Sequence, residues 1–374
     1  MEEAYNYLNE KAEVFNGRPN EATFLAMYKC ESHFIDHHKI MVSISGGSDS
    51  DIMLDMIEKV RKENKYNYNL EVHYVFFDTG IESKATKEHL DYLEKRYNIK
   101  IDRVRPKCSV PLGCKLYGLP FISKFVSQMI ERLQAHNFDF ANDGNRSFEE
   151  LNAKYPRMVG ALTWWCNKYP AQKGKKSHFN IDNNKFLKEF MIENPPNFKI
   201  SDKCCNGAKK NPSEDYEIGK EIDLKCLGLR KAEGGIRSSS IKSCFDDNRA
   251  YDTERKSKPK HYDVYRPIWW FTDKDKMTYE KFFNIKHSRC YTEYGFKRTG
   301  CMGCPFNSKW QEDLEILKVK EPLLYKAVTN IFGKSYEYVL KYREYKKQKE
   351  NHINKNQLNF FENKDLFEKF EERK

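Results

Sequence analysis

The first feature with chemical potential is the hexapeptide SGGSDS at residues 45–50. It follows the apolar run KIMVSI and precedes a segment with apolar residues at helical spacing, which predicts a glycine-containing turn between a strand and a helix. Backbone amides and the positive end of a helix dipole converge at such a turn and bind phosphate oxygens. We therefore predict a phosphate-binding loop at residues 45–50, called the glycine loop below.

Each residue type in the glycine loop has its own role in this prediction. Gly46 and Gly47 let the backbone approach a ligand closely or adopt positive φ. Asp49 is placed to cap the helix or to hold a metal ion, and with Ser50 it is a predicted catalytic residue. The predicted nucleotide-binding residues of this region are Ser43, Ser45, Gly46, Gly47, Ser48, Asp49 and Ser50. The alternative is an ordinary glycine turn, and the loop is not the Walker pattern GxxxxGK[ST].

The chain contains 11 cysteines, and four of them have ligand-like spacing. The predicted metal ligands are Cys204, Cys205, Cys301 and Cys304. Four thiolates fit either zinc or an iron–sulfur cluster. Adjacent cysteines wrap a single ion poorly, so the spacing favours a [4Fe–4S] cluster. Cys166 and Cys290 are alternative ligands, whereas Cys226, within a predicted strand, is expected in the core.

The elements that would position these residues alternate between strand and helix. Strands are predicted at residues 39–45, 70–77 and 99–104, and helices at residues 1–15, 50–62 and 84–97. Short connections between the elements from residue 39 to residue 104 require right-handed crossovers, which give a parallel sheet with ligands at the carboxyl ends of its strands. A further strand is predicted at residues 221–229 and a helical region at residues 309–345.

Four segments are predicted along the chain. Residues 1–106 form the first half of the nucleotide-binding domain, residues 107–200 a mostly helical insertion, residues 201–306 the second half with the cysteine site, and residues 307–374 a helical region with a basic tail. The fold class is therefore α/β, with a parallel sheet, an insertion and a helical C-terminal region.

The glycine loop resembles the SGGxDS pyrophosphate loop of the adenine nucleotide alpha-hydrolase superfamily, or PP-loop proteins. These include ATP pyrophosphatases and the phosphoadenosine phosphosulfate (PAPS) reductase family. The segment YVFFDTGIE at residues 74–82 is similar to the second strand of the reductase-like branch. The resemblance implies a Rossmann-like fold in which Asp78, Thr79 and Gly80 line a site for ATP or a related nucleotide. The fourth loop position is often lysine in that superfamily, whereas this chain has Ser48.

The cysteine pattern and the segment CLGLRKAEGGIRSS at residues 226–239 extend the resemblance. A cysteine pair followed by CxxC looks like the cluster ligation of assimilatory reductases. The resemblance implies a [4Fe–4S] cluster. It also implies that Arg230, Glu233 and Arg237 contact the nucleotide or its phosphates, because guanidinium groups suit such anions. Arg230 and Glu233 are further predicted catalytic residues.

Two reactions are compatible with this resemblance. In the favoured one, ATP with Mg²⁺ adenylates an acceptor with release of pyrophosphate, and sulfur then displaces AMP. This resembles the PP-loop iron–sulfur enzymes of DNA phosphorothioation and tRNA thiolation, with a cysteine desulfurase or another protein as sulfur donor. The alternative is a sulfonucleotide reductase. That reaction requires a nucleophilic cysteine, which the resemblance places beyond the CxxC motif. No cysteine follows Cys304, so an internal thiol such as Cys166 or Cys108 would have to take this role.

Charge and the C-terminal tail bear on partners and location. The formal net charge is +11, and Lys173, Lys175 and Lys176 make the insertion basic. This charge favours a nucleic-acid partner; a lysine-rich proteome is the alternative explanation of the charge.

Gln357–Phe361 resembles a peptide that docks on the DNA sliding clamp, which gives a third hypothesis: the protein is a nucleotide-binding module. The N-terminal residues lack a signal-peptide core and no apolar run approaches the roughly 18 residues of a membrane span, so we expect a cytoplasmic protein.

Overall fold

The structure is a computed structural model that describes residues 21–63, 69–171, 174, 176–234, 240–249 and 261–371, with side chains described up to residue 353. The described residues form two compact units. The first contains the chain up to Val110, Cys205–Met302 and Gln311–Lys326. The second contains Pro111–Cys204, Gly303–Trp310 and the chain from Ala327 onward. The helix predicted at residues 1–15 lies outside the described residues.

The first unit is built on a six-stranded sheet in the order β3-β2-β1-β4-β6-β5. Its strands are β1 (Lys39–Ser43), β2 (Glu71–Phe77), β3 (Ile101–Val104), β4 (Leu224–Leu227), β5 (Phe245–Asp246) and β6 (Asp263–Tyr265). All neighbouring pairs are parallel except β5 with β6. Ser43 is in register with Val75 on one side and Leu227 on the other, so the carboxyl ends of β1, β2 and β4 lie side by side.

Helices of the first unit pack against this sheet because apolar residues of β1, such as Ile40, Met41 and Val42, are completely buried. These helices are Glu21–Asp36, Ser48–Glu63, Lys84–Tyr97, Asn211–Gly219, Asp273–Phe282 and Arg289–Thr292, with a π-helical turn at Asn206–Lys210 and a 3-10 turn at Lys231–Glu233. Side-chain caps fix several starts. Ser83, for example, accepts a hydrogen bond from the N–H of Ala85 at 3.1 Å.

The second unit is helical. Its helices include Lys124–Ala135, Phe140–Asp143, Phe148–Lys154, Val159–Trp165 and Leu187–Glu193, with 3-10 turns at Pro156–Met158 and Ile181–Asn183. Four further helices cross the boundary between the units in sequence: Val110–Tyr117, Lys203–Cys205, Trp310–Lys320 and Pro322–Glu371. Trp164 and Trp165 are completely buried, so these two tryptophans serve the packing of the insertion.

The predicted fold class is confirmed: the sheet is mostly parallel and the insertion is helical. The predicted strands are present but slightly shorter, and residues 221–229 form a strand only at β4. The sequence did not predict β5 or β6, which are too short to show an alternating pattern. The division into four segments stays a prediction. No helix of the described residues has the length and apolarity needed to cross a membrane.

Candidate functional site

The glycine loop connects β1 to the helix Ser48–Glu63, called the loop helix below. Gly46 has a φ of +67°, and a Cβ at this position would lie 2.7 Å from Cγ2 of Thr86. Both the backbone conformation and the space therefore require glycine here. Ser43, which precedes the turn, takes part in the ladders of β1 and is half-buried.

Serine hydroxyl groups brace the glycine loop from within. The Oγ atom of Ser50 donates to the carbonyl oxygen of Gly47 at 2.8 Å and lies 3.2 Å from Oγ of Ser45. Oγ of Ser45 in turn accepts the N–H of Gly47 at 3.3 Å. Ser50 is buried. These contacts give Ser50 a bracing role, and its catalytic role stays a prediction.

Tyr291 and Thr299 lie against the outer side of the glycine loop. The N–H of Ser48 donates to the hydroxyl oxygen of Tyr291 at 3.3 Å. A Cβ added to Gly47 would lie 3.0 Å from Oγ1 of Thr299 and 3.3 Å from the Tyr291 hydroxyl. The acceptors that these amides have in the structure are neutral hydroxyl groups. A phosphate oxygen would be the stronger acceptor, because hydrogen bonds to an ionised group are stronger.

Asp49, the second residue of the loop helix, lies between two cations. Nζ of Lys276 donates to its Oδ1 at 2.6 Å, and Nε of Arg230 donates to its Oδ2 at 3.1 Å. Lys276 also donates to Oγ of Ser48 at 2.5 Å, and Nη1 of Arg230 to Oδ1 of Asp273 at 2.9 Å. The structure thus brings the predicted residues Asp49 and Arg230 together and adds Lys276, which the sequence did not indicate.

The two cations determine the charge state of Asp49. Burial acts to raise the pKa of this carboxyl group, but the hydrogen bond and charge of Lys276 outweigh burial and hold the pKa below its usual range. Glu233, a predicted site residue, and the charge of Arg230 also act to lower the pKa of Asp49. Asp49 is therefore ionised at neutral pH.

A partly buried polar network is centred on Asp51 of the loop helix. Oδ2 of Asp51 contacts Nε2 of His89 at 3.0 Å and Nδ1 of His287 at 2.8 Å, and Nε2 of His287 contacts Oε1 of Glu280 at 2.9 Å. Burial lowers the pKa of His287, but the hydrogen bonds to Asp51 and Glu280 outweigh it and raise the pKa to about 9. His287 is therefore cationic at neutral pH and fixes the loop helix to the segment that carries Tyr291.

Residues 78–80 follow β2, the strand that pairs with β1 on one side of the sheet. Gly80 has a φ of +90° and donates its N–H to Oδ1 of Asp78 at 3.0 Å. Lys87 pairs with the other carboxylate oxygen of Asp78 at 3.1 Å. Thr79 is buried and donates to Oε1 of Glu82 at 2.7 Å. These residues form a compact polar turn at the carboxyl end of β2, and their contact with a nucleotide stays a prediction.

Cys301 and Cys205 belong to the first unit and interact electrostatically. Burial raises the pKa of Cys301; the charges of Glu82 and Cys205 add to this rise, and the charge of Lys209 opposes it. The Sγ atom of Cys301 donates to Oγ1 of Thr79 at 3.5 Å. Cys301 is therefore a protonated, half-buried thiol at neutral pH.

The described residues do not show a formed metal centre. Cys204 and Cys304 belong to the second unit, and no three His, Cys, Asp or Glu side chains in the described part of the chain are arranged to hold a metal ion. The cluster and its four ligands therefore stay a prediction that rests on spacing and resemblance. Of the alternative ligands, Cys290 is buried against the hydroxyl groups of Ser83 and Thr86 at 3.4 and 3.5 Å. The core position predicted for Cys226 is confirmed.

Some predicted residues fall outside the described residues. These are Arg237, Lys173, Lys175 and the side chains of Gln357–Phe361. Lys176 is described, is exposed, and lies 3.6 Å from Asp182. The roles proposed for these residues in binding nucleotide, nucleic acid or the sliding clamp stay predictions.

A parallel α/β sheet with a glycine loop between its central strand and the following helix defines the class of this protein as a PP-loop, Rossmann-like protein. Residues 39–307 match the family model described as phosphoadenosine phosphosulfate reductase domain. Because that match covers more than half of the chain, the protein belongs to this family.

Two enzymes are among the solved structures that are similar to this chain. The first is the PAPS reductase of Candida auris in a phosphate complex, with 10% identity, a TM-score of 0.38, and 79% of this chain and 94% of that chain covered. The second is the U34-tRNA thiolase NcsA of Methanococcus maripaludis with its [4Fe-4S] cluster, with 12% identity, a TM-score of 0.33, and 88% and 81% covered. At these TM-scores neither similarity bears on the activity of this chain. No curated protein matches the sequence.

Proposed function

We propose that this protein is an ATP pyrophosphatase that adenylates an acceptor and supports sulfur transfer to a nucleic acid, as in DNA phosphorothioation. One observation carries the proposal: residues from distant parts of the chain converge on the start of the loop helix. Arg230 meets Asp49 across 181 sequence positions at 3.1 Å. Its guanidinium group is nearly buried beside a glycine turn of the kind that accepts phosphate.

Residues at the glycine loop support the first half of this reaction. The amides of the glycine loop and the loop helix dipole would hold the phosphate chain, and Arg230 would balance its charge. The acceptor oxygen attacks the α-phosphorus, the bond to the bridging oxygen breaks, and pyrophosphate leaves. Mg²⁺, when bound, would neutralise charge on the phosphates. Asp49 supplies the hard carboxylate oxygens that this ion prefers, although both oxygens already accept hydrogen bonds from cations.

Sulfur transfer is the second half of the proposed reaction. A sulfur nucleophile attacks the adenylated centre, AMP leaves, and the acceptor retains the sulfur. The net charge of +11 supports a polyanionic acceptor such as nucleic acid. A cysteine desulfurase or another sulfur donor is the proposed source. Docking on a sliding clamp through Gln357–Phe361 would place the enzyme on DNA.

Sulfonucleotide reduction is the second candidate, because the family is named for that activity. It needs a thiolate that attacks sulfate sulfur. Cys301, the thiol beside Thr79, is a poor nucleophile because its pKa is raised. The sequence also contains no cysteine after Cys304. The contacts of Arg230 and Lys276 with Asp49 beside the glycine loop support ATP cleavage as the first candidate.

Product analysis of the anaerobically purified protein separates the two candidates. Wild-type protein is incubated with ATP, Mg²⁺ and DNA or tRNA, and separately with APS or PAPS and a thiol. We expect pyrophosphate and no sulfite. Arg230→Met should lower pyrophosphate release by about 10- to 100-fold, the range for losing a hydrogen bond to a charged group. Arg157→Met, at an exposed position, is the matched control. Sulfite without pyrophosphate would replace this proposal with the reductase.

The predicted cluster is tested separately from catalysis. After anaerobic reconstitution, iron and sulfide are counted and the absorption band at about 400 nm is followed during dithionite reduction. We expect Cys301→Ser to lose iron and Cys166→Ser to retain it. Zinc in place of iron would remove the cluster from the proposal, and equal iron in both variants would remove Cys301 from its ligands. Neither result affects the ATP reaction.

A further inference from the structure

Lys276 projects towards the glycine loop from the helix Asp273–Phe282. A capping box fixes the start of this helix: Oγ1 of Thr272 accepts the N–H of Asp275 at 3.2 Å, and the Asp275 carboxylate accepts the N–H of Thr272 at 2.8 Å. Lys276 follows immediately, and its side chain is only 17% exposed. The cap therefore sets the direction from which its ammonium group approaches the loop.

The ammonium group of Lys276 lies at the loop position where this chain lacks a charged residue. Its Nζ is 2.5 Å from Oγ of Ser48, the fourth residue of the SGGSDS hexapeptide. The loop and the lysine are separated by 228 positions in sequence. A lysine at position 48 would bring a positive charge from within the loop. In this chain the helix Asp273–Phe282 brings that charge instead.

We propose that Lys276 is a phosphate-binding residue that supplies the positive charge of the glycine loop from the helix Asp273–Phe282. The inference rests on the proposed function, since it assigns a residue to the same nucleotide site. An ammonium group carries three hydrogen-bond donors, and here two are directed to Ser48 and Asp49. A third acceptor, Oε1 of Glu280, lies 3.8 Å away, beyond hydrogen-bond distance.

Asp49 holds the ammonium group of Lys276 in place. It bonds to Lys276 and Arg230 at once, so it holds both cations at the start of the loop helix. A polyphosphate carries more negative charge than one carboxylate and would draw both cations towards it. Asp49 would then be released as an oxygen ligand. Nucleotide binding therefore exchanges partners among groups that are already in place, which avoids the cost of ordering them.

A purely structural ion pair between two helices is the competing explanation. It predicts that loss of Lys276 lowers stability and weakens every ligand equally. The phosphate-binding role predicts instead that the loss grows with the number of phosphates. Affinities for ATP, ADP, AMP and adenosine therefore distinguish the two roles.

The experiment uses isothermal titration calorimetry with the full chain. Lys276→Met is expected to weaken ATP binding by about 10- to 100-fold, the range for losing a hydrogen bond to a charged group, and adenosine binding by less than about twofold. Lys276→Arg should retain most of the ATP affinity. Lys274→Met, an exposed lysine in the same helical turn, is the matched control and should bind as the wild type does.

A footprint on the wild-type protein makes the test independent of how the variants fold. Acetylation of Lys276 by a succinimidyl ester, measured by mass spectrometry relative to Lys274, should slow with ATP but not with adenosine. The inference is overturned if Lys276 is labelled equally with ATP and with adenosine. It is also overturned if Lys276→Met binds ATP within twofold of the wild-type affinity. In both cases the wild type still binds ATP, so the proposed function is unaffected. If the wild type binds no adenine nucleotide, the proposed function fails and the inference fails with it.

Discussion

Replacing Gly46 by alanine tests the local geometry of the glycine loop most directly. A Cβ at this position would lie 2.7 Å from Cγ2 of Thr86, and φ is +67°. The left-handed conformation costs a non-glycine residue about 1–2 kcal/mol. Thr86 is completely buried, so it cannot move aside freely, and the overlap adds the roughly 1–3 kcal/mol of an overpacked core. We expect a total loss of about 2–5 kcal/mol.

Gly295→Ala separates these two costs. Gly295 has a similar φ of +79°, but a Cβ there would meet nothing within 4 Å. Only the conformational cost, about 1–2 kcal/mol, should appear at this control position. Urea denaturation of both variants measures the difference in the free energy of unfolding. Pyrophosphate release should fall in Gly46→Ala and stay near the wild-type rate in Gly295→Ala.

A second substitution checks that Thr86 causes the overlap. Thr86→Ser removes Cγ2 and keeps the hydroxyl group, so Gly46→Ala combined with Thr86→Ser should recover about 1 kcal/mol or more in a double-mutant cycle. Equal losses for Gly46→Ala and Gly295→Ala, or strict additivity in the cycle, would refute the claim that packing as well as φ requires glycine at position 46.

Two further predictions concern the polar groups buried under the loop helix. The pKa of His287 is raised from 6.5 to about 9. At 1.36 kcal/mol per pKa unit, protonated His287 stabilises the folded protein by about 3 kcal/mol. This stabilisation is fully present below pH 6.5 and is lost as the pH rises through 9. His287→Gln should remove that decline from a stability–pH curve, and an unchanged curve would contradict the assignment. Tyr279→Phe removes a 2.8 Å hydrogen bond to buried Asp55 and should lower the free energy of unfolding by about 1–3 kcal/mol, measured by urea denaturation; a neutral result would show that the carboxyl group finds another donor.

The sequence was sufficient for the parts of this protein that depend on local patterns. The glycine loop and the strands β1 and β2 were predicted because apolar periodicity and glycine turns act over a few residues. Only part of the site around Asp49 could be predicted from the sequence. Arg230 came from a resemblance, but Lys276 sits in a charged, ordinary-looking helix whose pattern carries no functional signal. Its contact with Ser48 forms only when the fold closes a gap of 228 positions.

The loop helix shows why tertiary context was needed. Its apolar spacing predicted an amphipathic helix, in which acidic residues would face solvent. Asp51, Asp55 and Glu58 are nevertheless at most 2% exposed. They are spaced to share one face of the helix.

Each of the three carboxyl groups has at least one partner outside the loop helix. Asp51 bonds to His89 and His287, Asp55 to Tyr97, Tyr279 and Lys59, and Glu58 to Tyr74 and Arg61. A buried carboxylate tolerates few orientations, because losing a partner costs more than the contact itself provides. Three such anchors along one helix therefore fix its rotation and height against the sheet. They fix with it the direction in which the glycine loop presents its amides.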